Sequence, residues 1–239
     1  MKLLALDTAT EACSVALWQD GQVLDRTEMA PRRHAELVLP MAESLLAEAG
    51  ITRRQLDGIA MGRGPGAFTG VRLAVSVAQG LAMALDIPVV PISSLAALAV
   101  QAPRNGAATL VVIDARRAEI YAAAFLMGTE GINLPINSLR PLLDECVISA
   151  GDLVLPPARA WNVIGTGWGA YADALRGRFP AAPVWADGER YPQARDVATL
   201  AAPVLAAGKG VAPEFALPVY LRDKVALTLQ EQHAAARVE

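Results

Sequence analysis

The sequence predicts an α/β protein of two lobes, each a mixed sheet with flanking helices. Two observations predict this. Residues 1–92 read as strand, strand, strand, helix, strand, helix, strand: a meander followed by parallel crossovers. After a break at Pro103-Arg104-Asn105-Gly106 the strand-then-acid opening returns, and with it a second glycine turn.

The elements follow in order. Residues 3–7 are apolar and end in Asp7, and residues 13–18 form a second run. Asp20-Gly21 is a two-residue hairpin signal, so residues 22–29 return as a third strand. Residues 34–49 carry helical periodicity, with Gly50 as the stop and Pro40 predicting a kink or a later first turn. Residues 56–61 are a strand that runs into Gly62-Arg63-Gly64-Pro65-Gly66-Ala67-Phe68-Thr69-Gly70. Four glycines there permit a sharp turn and close backbone approach. Thr69 is placed to cap the next helix, which runs to about residue 85, and residues 88–92 close the sheet. This order matches the ribonuclease-H-like one.

Past the break, residues 110–114 repeat residues 3–7, residues 119–126 return, and residues 161–164 lead into Gly165-Thr166-Gly167-Trp168-Gly169-Ala170-Tyr171. This turn and the first share Gly-x-Gly-x-Gly-Ala-aromatic. The expected lobes are residues 1–103 and 104–239, facing a cleft, with the last segment packing back on the first lobe.

Composition narrows the function. Of 239 residues 54% are apolar, the net charge is −3, and no basic run occurs. Tight direct binding to nucleic acid needs phosphate neutralisation, so this chain alone is a poor candidate for it. Apolar runs are interrupted before they reach a membrane span. Two cysteines, Cys13 and Cys146, and two histidines, His34 and His233, predict neither a disulfide framework nor a histidine metal site. A reducing cytoplasm is the expected setting.

The glycine loop lacks the Gly-Lys-Ser/Thr of a P-loop. As a dinucleotide fingerprint it lacks the ribose-binding acid, since the strand that follows ends in Ser93-Ser94. Asp7-Thr8-Ala9-Thr10 resembles the first phosphate hairpin of the actin, hexokinase and Hsp70 class, but Ala9 stands where that class has glycine. Asp7 and Thr8 also suit a tight turn that bonds its own backbone, and both readings stand. A nucleotide cleft, vestigial at most, would fall at Asp7, Thr8, Gly64, Gly66, Gly165 and Gly167. No catalytic constellation is predicted.

The helix over residues 70–85 is apolar round most of its circumference, apart from a stripe of Arg72, Ser76, Gln79 and Met83. It needs cover on two sides. One is its own sheet; the other is the preceding helix or another protein. Leu37, Met41 and Leu45 on the earlier helix, with Val71, Val75, Ala78 and Ala82 on this one, are the expected partner interface. On that reading a charge at Val75 or Ala78 abolishes partner binding and spares the fold.

The runs Asp7-Thr8-Ala9-Thr10-Glu11-Ala12-Cys13-Ser14, Gly64-Pro65-Gly66-Ala67-Phe68-Thr69-Gly70-Val71-Arg72, Ser93-Ser94-Leu95, Asp114-Ala115-Arg116 and Pro218-Val219-Tyr220-Leu221-Arg222 together resemble the TsaB (YeaZ) family. The resemblance implies an actin-like ATPase (ASKHA) fold and a part in making N6-threonylcarbamoyladenosine at position 37 of tRNAs that read codons starting with A. It implies a non-catalytic subunit that binds a catalytic paralogue, TsaD, through its two N-terminal helices, with a small ATPase, TsaE, joining them. ATP or ADP and metal are then expected on those partners and none on this chain alone. TsaD carries a His-x-x-x-His metal pair where this chain has Ser94 and Leu98, which places the chain as the partner. Self-association through the same helices is left open. The competing reading is a standalone ATP-dependent small-molecule kinase, or a metallopeptidase, of the same fold.

Overall fold

The computed structural model describes residues 1–128 and 138–222. The first lobe holds β1 (Lys2–Asp7), β2 (Ala12–Gln19), β3 (Gln22–Met29), α1 (His34–Glu48), β4 (Gly58–Gly62), α2 (Phe68–Leu85), β5 (Val89–Ile92) and then α3 (Ser94–Ala99). The second holds β6 (Ala108–Arg116), β7 (Glu119–Met127), β8 (Leu139–Ser149), β9 (Trp161–Ile164), α4 (Thr166–Arg176), β10 (Trp185–Asp187) and then α5 (Ala194–Ala206).

The sheets run β3-β2-β1-β4-β5 and β8-β7-β6-β9-β10. In each, the first three strands are antiparallel neighbours and the last two add in parallel. Two sheets of one strand order and one pairing sense are what an internal repeat of the chain produces. The β2–β3 turn is the expected one, with Asp20 and Gly21 both at positive φ.

Alternation along the first-lobe strands sorts the core into two layers. Leu4, Leu6, Val15, Leu17, Ile59 and Met61 face α1 and α2, while Leu3, Ala5, Ala16, Ala60 and Val90 face α5. The last helix after each sheet is exchanged. α5 follows β10 yet lies on the first sheet. α3 follows β5 yet packs on Val111, Ile113, Ala123, Phe125 and Ile164 of the second. The two exchanged helices touch each other, so each lobe's core contains a helix delivered by the other's last strand.

Helix α1 continues through Pro40 and ends at Gly50, whose φ of 65° lets Ile51 N–H reach the Leu46 carbonyl at 3.0 Å. Helix α2 starts two residues earlier than Thr69 would set it: Ala67 is the cap, without a side-chain bond, and Thr69 lies inside. By length and a mean hydropathy of 1.4, α2 could cross a membrane, but its buried side lies on the sheet.

The expected interface set is corrected by this packing. Leu45, Val75, Ala78 and Ala82 are buried against the first sheet, Val71 is buried beside Gly64 at the edge of the cavity between the lobes, and Leu37 and Met41 are half-buried against the sheet core. With apolar residues round most of α2, the apolar pattern does not say which side meets the sheet. The polar stripe does: Arg72, Ser76 and Met83 are exposed. The outer surface of this layer instead carries Leu39, Phe68 and Met83. Between α1 and α2, which touch only lightly, runs an apolar groove of about 120 Å³ over Leu39, Leu46, Leu56, Leu81 and Leu85.

Candidate functional site

The two lobes enclose a cavity of about 220 Å³. One wall is the β1–β2 hairpin (Ala9, Thr10, Glu11) and the glycine loop (Pro65 to Phe68, then Val71). The other is the β6–β7 hairpin (Ile113 to Arg116, Tyr121), and Val219 to Arg222 runs along the rim.

The first hairpin and the glycine loop pack directly on each other, backbone against backbone. A β-carbon on Gly62 would stand 1.9 Å from Asp7 Oδ2, on Gly66 2.3 Å from the Ala9 carbonyl oxygen, and on Gly70 2.0 Å from that of Thr8. Glycine is required at these three positions for contact with protein. The Ala67 amide donates to the Ala9 carbonyl at 2.7 Å, and the Thr8 hydroxyl to the Gly70 carbonyl at 2.7 Å.

Asp7 is fully buried and both its oxygens are engaged. Oδ1 accepts the Ala9 amide at 2.9 Å and Oδ2 accepts the Ser94 hydroxyl at 2.9 Å. Burial pushes its carboxyl above the usual range, against the opposing pull of those two bonds and of His34. A carboxylate meant to hold a hydrated metal is exposed, whereas Asp7 is fully buried and both its oxygens accept bonds from the chain itself. Among the described residues no group of three or more His, Cys, Asp or Glu could hold a metal ion. The residues present do not fit a metal-nucleotide site.

Of the six residues expected in a nucleotide cleft, Gly66 alone lines the cavity. Asp7 and Thr8 lie beneath the hairpin, fully buried. Gly64, at φ 88°, packs on Val71 and on the Val219 carbonyl, and Gly165, at φ 109°, on the Val112 carbonyl. Gly167 packs on Val112 and Ile120. Ser94 and Leu98, at the histidine positions of the paralogue, are buried, the first on Asp7 and the second beside Gly165. His34 is half-buried at the start of α1, and His233 lies outside the described residues.

The charged residues of the cavity were not singled out as site residues from sequence. Arg116 donates to Glu11 across the mouth at 2.7 Å and to Asp114 on its own strand at 2.8 Å. Tyr171 also donates to Asp114, at 2.9 Å. Arg222 bonds the Ala115 carbonyl at 3.0 Å and Glu119. Away from the cavity, Arg63 and Glu145 join the lobes by a two-pronged pair at 3.0 and 3.1 Å. The signal for Arg116, Tyr220 and Arg222 was present in the Asp-Ala-Arg and Pro-Val-Tyr-Leu-Arg runs. Glu11 lay likewise in the run from Asp7 to Ser14.

Fold and site together define a two-lobed protein of the actin-like ATPase class whose first hairpin packs on its own glycine loop. A family model described as "TsaD: tRNA N6-adenosine threonylcarbamoyltransferase" matches residues 27–228. The tRNA threonylcarbamoyladenosine biosynthesis protein TsaB of Escherichia coli K12 is 41% identical over 229 residues, 95% of this chain and 96% of that one. TsaB of Haemophilus influenzae is 42% identical over 179 residues, 72% and 75% of the two chains. The solved structure of YeaZ from Pseudomonas aeruginosa aligns with a TM-score of 0.82 at 45% identity, covering 92% of this chain and 99% of that one. The chain belongs to the TsaB (YeaZ) family.

Proposed function

We propose that this chain takes part in threonylcarbamoyladenosine formation in tRNA as a non-catalytic subunit. It binds a TsaD-like paralogue through the outer face of α1 and α2, and a TsaE-like ATPase joins the assembly. The nucleotide and metal chemistry belongs to those partners, the tRNA is reached through them, and the setting is cytoplasmic. One observation carries the reading: the hairpin that would cradle a phosphate is closed by contacts within the chain, with Asp7 buried under it. The groove between α1 and α2, with Leu39 and Met83 exposed on the same layer, supports the choice of face.

The test is co-purification with the paralogue from the same organism, followed by measurement of the modified nucleoside in tRNA with and without this chain. Leu39→Glu and Met83→Glu are expected to keep the fold and lose the partner. Retained co-purification by both variants would move the interface elsewhere. Calorimetry with ATP-Mg on the chain alone separates the competing kinase: micromolar binding with turnover sinks the subunit reading.

A further inference from the structure

The cavity between the lobes is lined in a way that the partner reading does not use. Its middle is apolar, with Pro65, Val71, Ile113, Val219 and Leu221 in the walls. At its mouth Glu11 from one lobe meets Arg116 from the other; Asp114, bonded to Arg116, and Arg222, bonded to Glu119, also line it. Glu11 and Arg116 both line the cavity and both also reach solvent. Arg116 opens a turn in which three successive non-glycine residues, Arg116, Arg117 and Ala118, hold positive φ. That conformation is unfavourable for side-chain-bearing residues and persists only where its surroundings enforce it. Here the Asp114 carboxylate enforces it, accepting the Arg116 amide at 2.7 Å and its guanidinium at 2.8 Å. The arginine is thereby aimed over the cavity.

We propose that this cavity is a binding site for a free α-amino acid. Charge and size select the class. A ligand with one charge would meet one partner of the Glu11–Arg116 pair and leave the other to solvent, with Arg116 still held by Asp114. A zwitterion replaces both: its carboxylate takes the place of Glu11 on Arg116, its ammonium takes the place of Arg116 on Glu11, and the net charge of the site is unchanged. Its side chain enters the apolar middle. At about 220 Å³ the cavity is below the roughly 300–1,000 Å³ of sites for larger ligands, which suits one amino acid and excludes an enclosed nucleoside triphosphate. Phe68 and Val71, at the start of α2, line the same cavity, so occupancy bears directly on that helix. The inference is independent of which partner α2 meets.

The full chain is screened by thermal shift and then calorimetry against free amino acids one at a time, at millimolar concentration. Each hit is compared with the amine lacking its carboxylate and the acid lacking its ammonium. ATP-Mg serves as the nucleotide control. At least one amino acid with an apolar side chain is expected to bind, with neither half-analogue binding comparably. Glu11→Gln, at a half-buried position, and Arg116→Gln, at an exposed one, are expected to weaken binding about tenfold or more. The proposal is overturned if no amino acid binds, if a half-analogue binds as well as the amino acid, or if both variants bind unchanged. Binding of ATP-Mg alone also overturns it. Should a variant fail to fold, the half-analogue series on the parent chain decides.

Discussion

Asp7 ends the first strand where it suits either a phosphate hairpin or a tight turn that bonds its own backbone, and its surroundings make it a strut. The Ala9 amide and the Ser94 hydroxyl meet its two oxygens, and an amide side chain could meet both equally well. Asp7→Asn is therefore expected to leave stability and partner binding near the parent. Asp7→Ala strands a buried amide and a buried hydroxyl and should cost about 2–4 kcal/mol by urea unfolding. A large loss from Asp7→Asn alone would restore a role for the charge. Asp196 poses the opposite case. It is half-buried in the first turn of α5, it accepts the Gln101 amide at 2.9 Å, and burial raises its carboxyl to about 7. Gln101 and Arg195 favour the charged form, while Asp25 and Asp7 oppose it. Between about pH 4 and pH 7 the folded chain thus holds a proton that the unfolded chain has lost. Stability declines as pH rises through that window and is level above it, by about 4 kcal/mol at most. Asp196→Asn keeps an acceptor for Gln101 and removes the titration. Its melting temperature relative to the parent should climb from pH 4 to pH 8; a constant difference would refute the assignment.

At the scale of elements, α2 shows where sequence patterning succeeds and where it stops. Its existence, its length and the glycine loop that launches it were legible, because glycine spacing and an apolar run constrain the backbone directly. Its orientation was misread. The set Val71, Val75, Ala78 and Ala82 is a good helical face, but a helix apolar nearly all round has more than one such face. What resolves it is the sheet beneath, which no local pattern contains. The expectation first attached to Val75 and Ala78 therefore changes sign. Val75→Asp buries an unpaired charge against β1 and β4 and should abolish soluble expression, whereas Met83→Asp should fold normally, as judged by circular dichroism. The helix's glycines divide in the same way. Gly70→Ala drives a β-carbon into the Thr8 carbonyl and is expected to lose about 1–3 kcal/mol or more. Gly80 is exposed, with open space where a β-carbon would stand, so Gly80→Ala is expected to gain about 0.5–1 kcal/mol. Denaturant midpoints moving in the same direction for both would contradict the placement of the loop on the hairpin. The nucleotide cleft was misjudged for a related reason. Glycines that admit a phosphate and glycines that admit a neighbouring backbone look alike in sequence, and only the distances from Gly62, Gly66 and Gly70 to the hairpin distinguish them.

For the whole molecule, the repeat was legible because two acids after apolar strands and two similar glycine turns recur at matching intervals. The helix exchange was not legible in the same detail, since it depends on which sheet a helix meets after the chain has left it. Its expected consequence is cooperative folding. Without α5, the face of Leu3, Ala5, Ala16, Ala60 and Val90 on the first sheet is uncovered; without α3, so is that of Val111, Ile113 and Phe125 on the second. The Arg63–Glu145 pair adds a half-buried, two-pronged link between the lobes. Neither lobe then has a complete core of its own, and a division at residue 103 separates each sheet from one of its helices. Tryptophan placement offers a direct check: Trp18 sits on β2 of the first sheet, while Trp161 and Trp185 lie on β9 and β10 of the second. Variants retaining Trp18 alone or Trp185 alone, the others replaced by Phe, should report the same urea midpoint in each lobe once their stabilities are matched by circular dichroism. Coincident transitions are the mark of one cooperative unit. Separate midpoints, or a folded and soluble 1–103 fragment, would show that the exchanged helices contribute little and that the lobes stand alone.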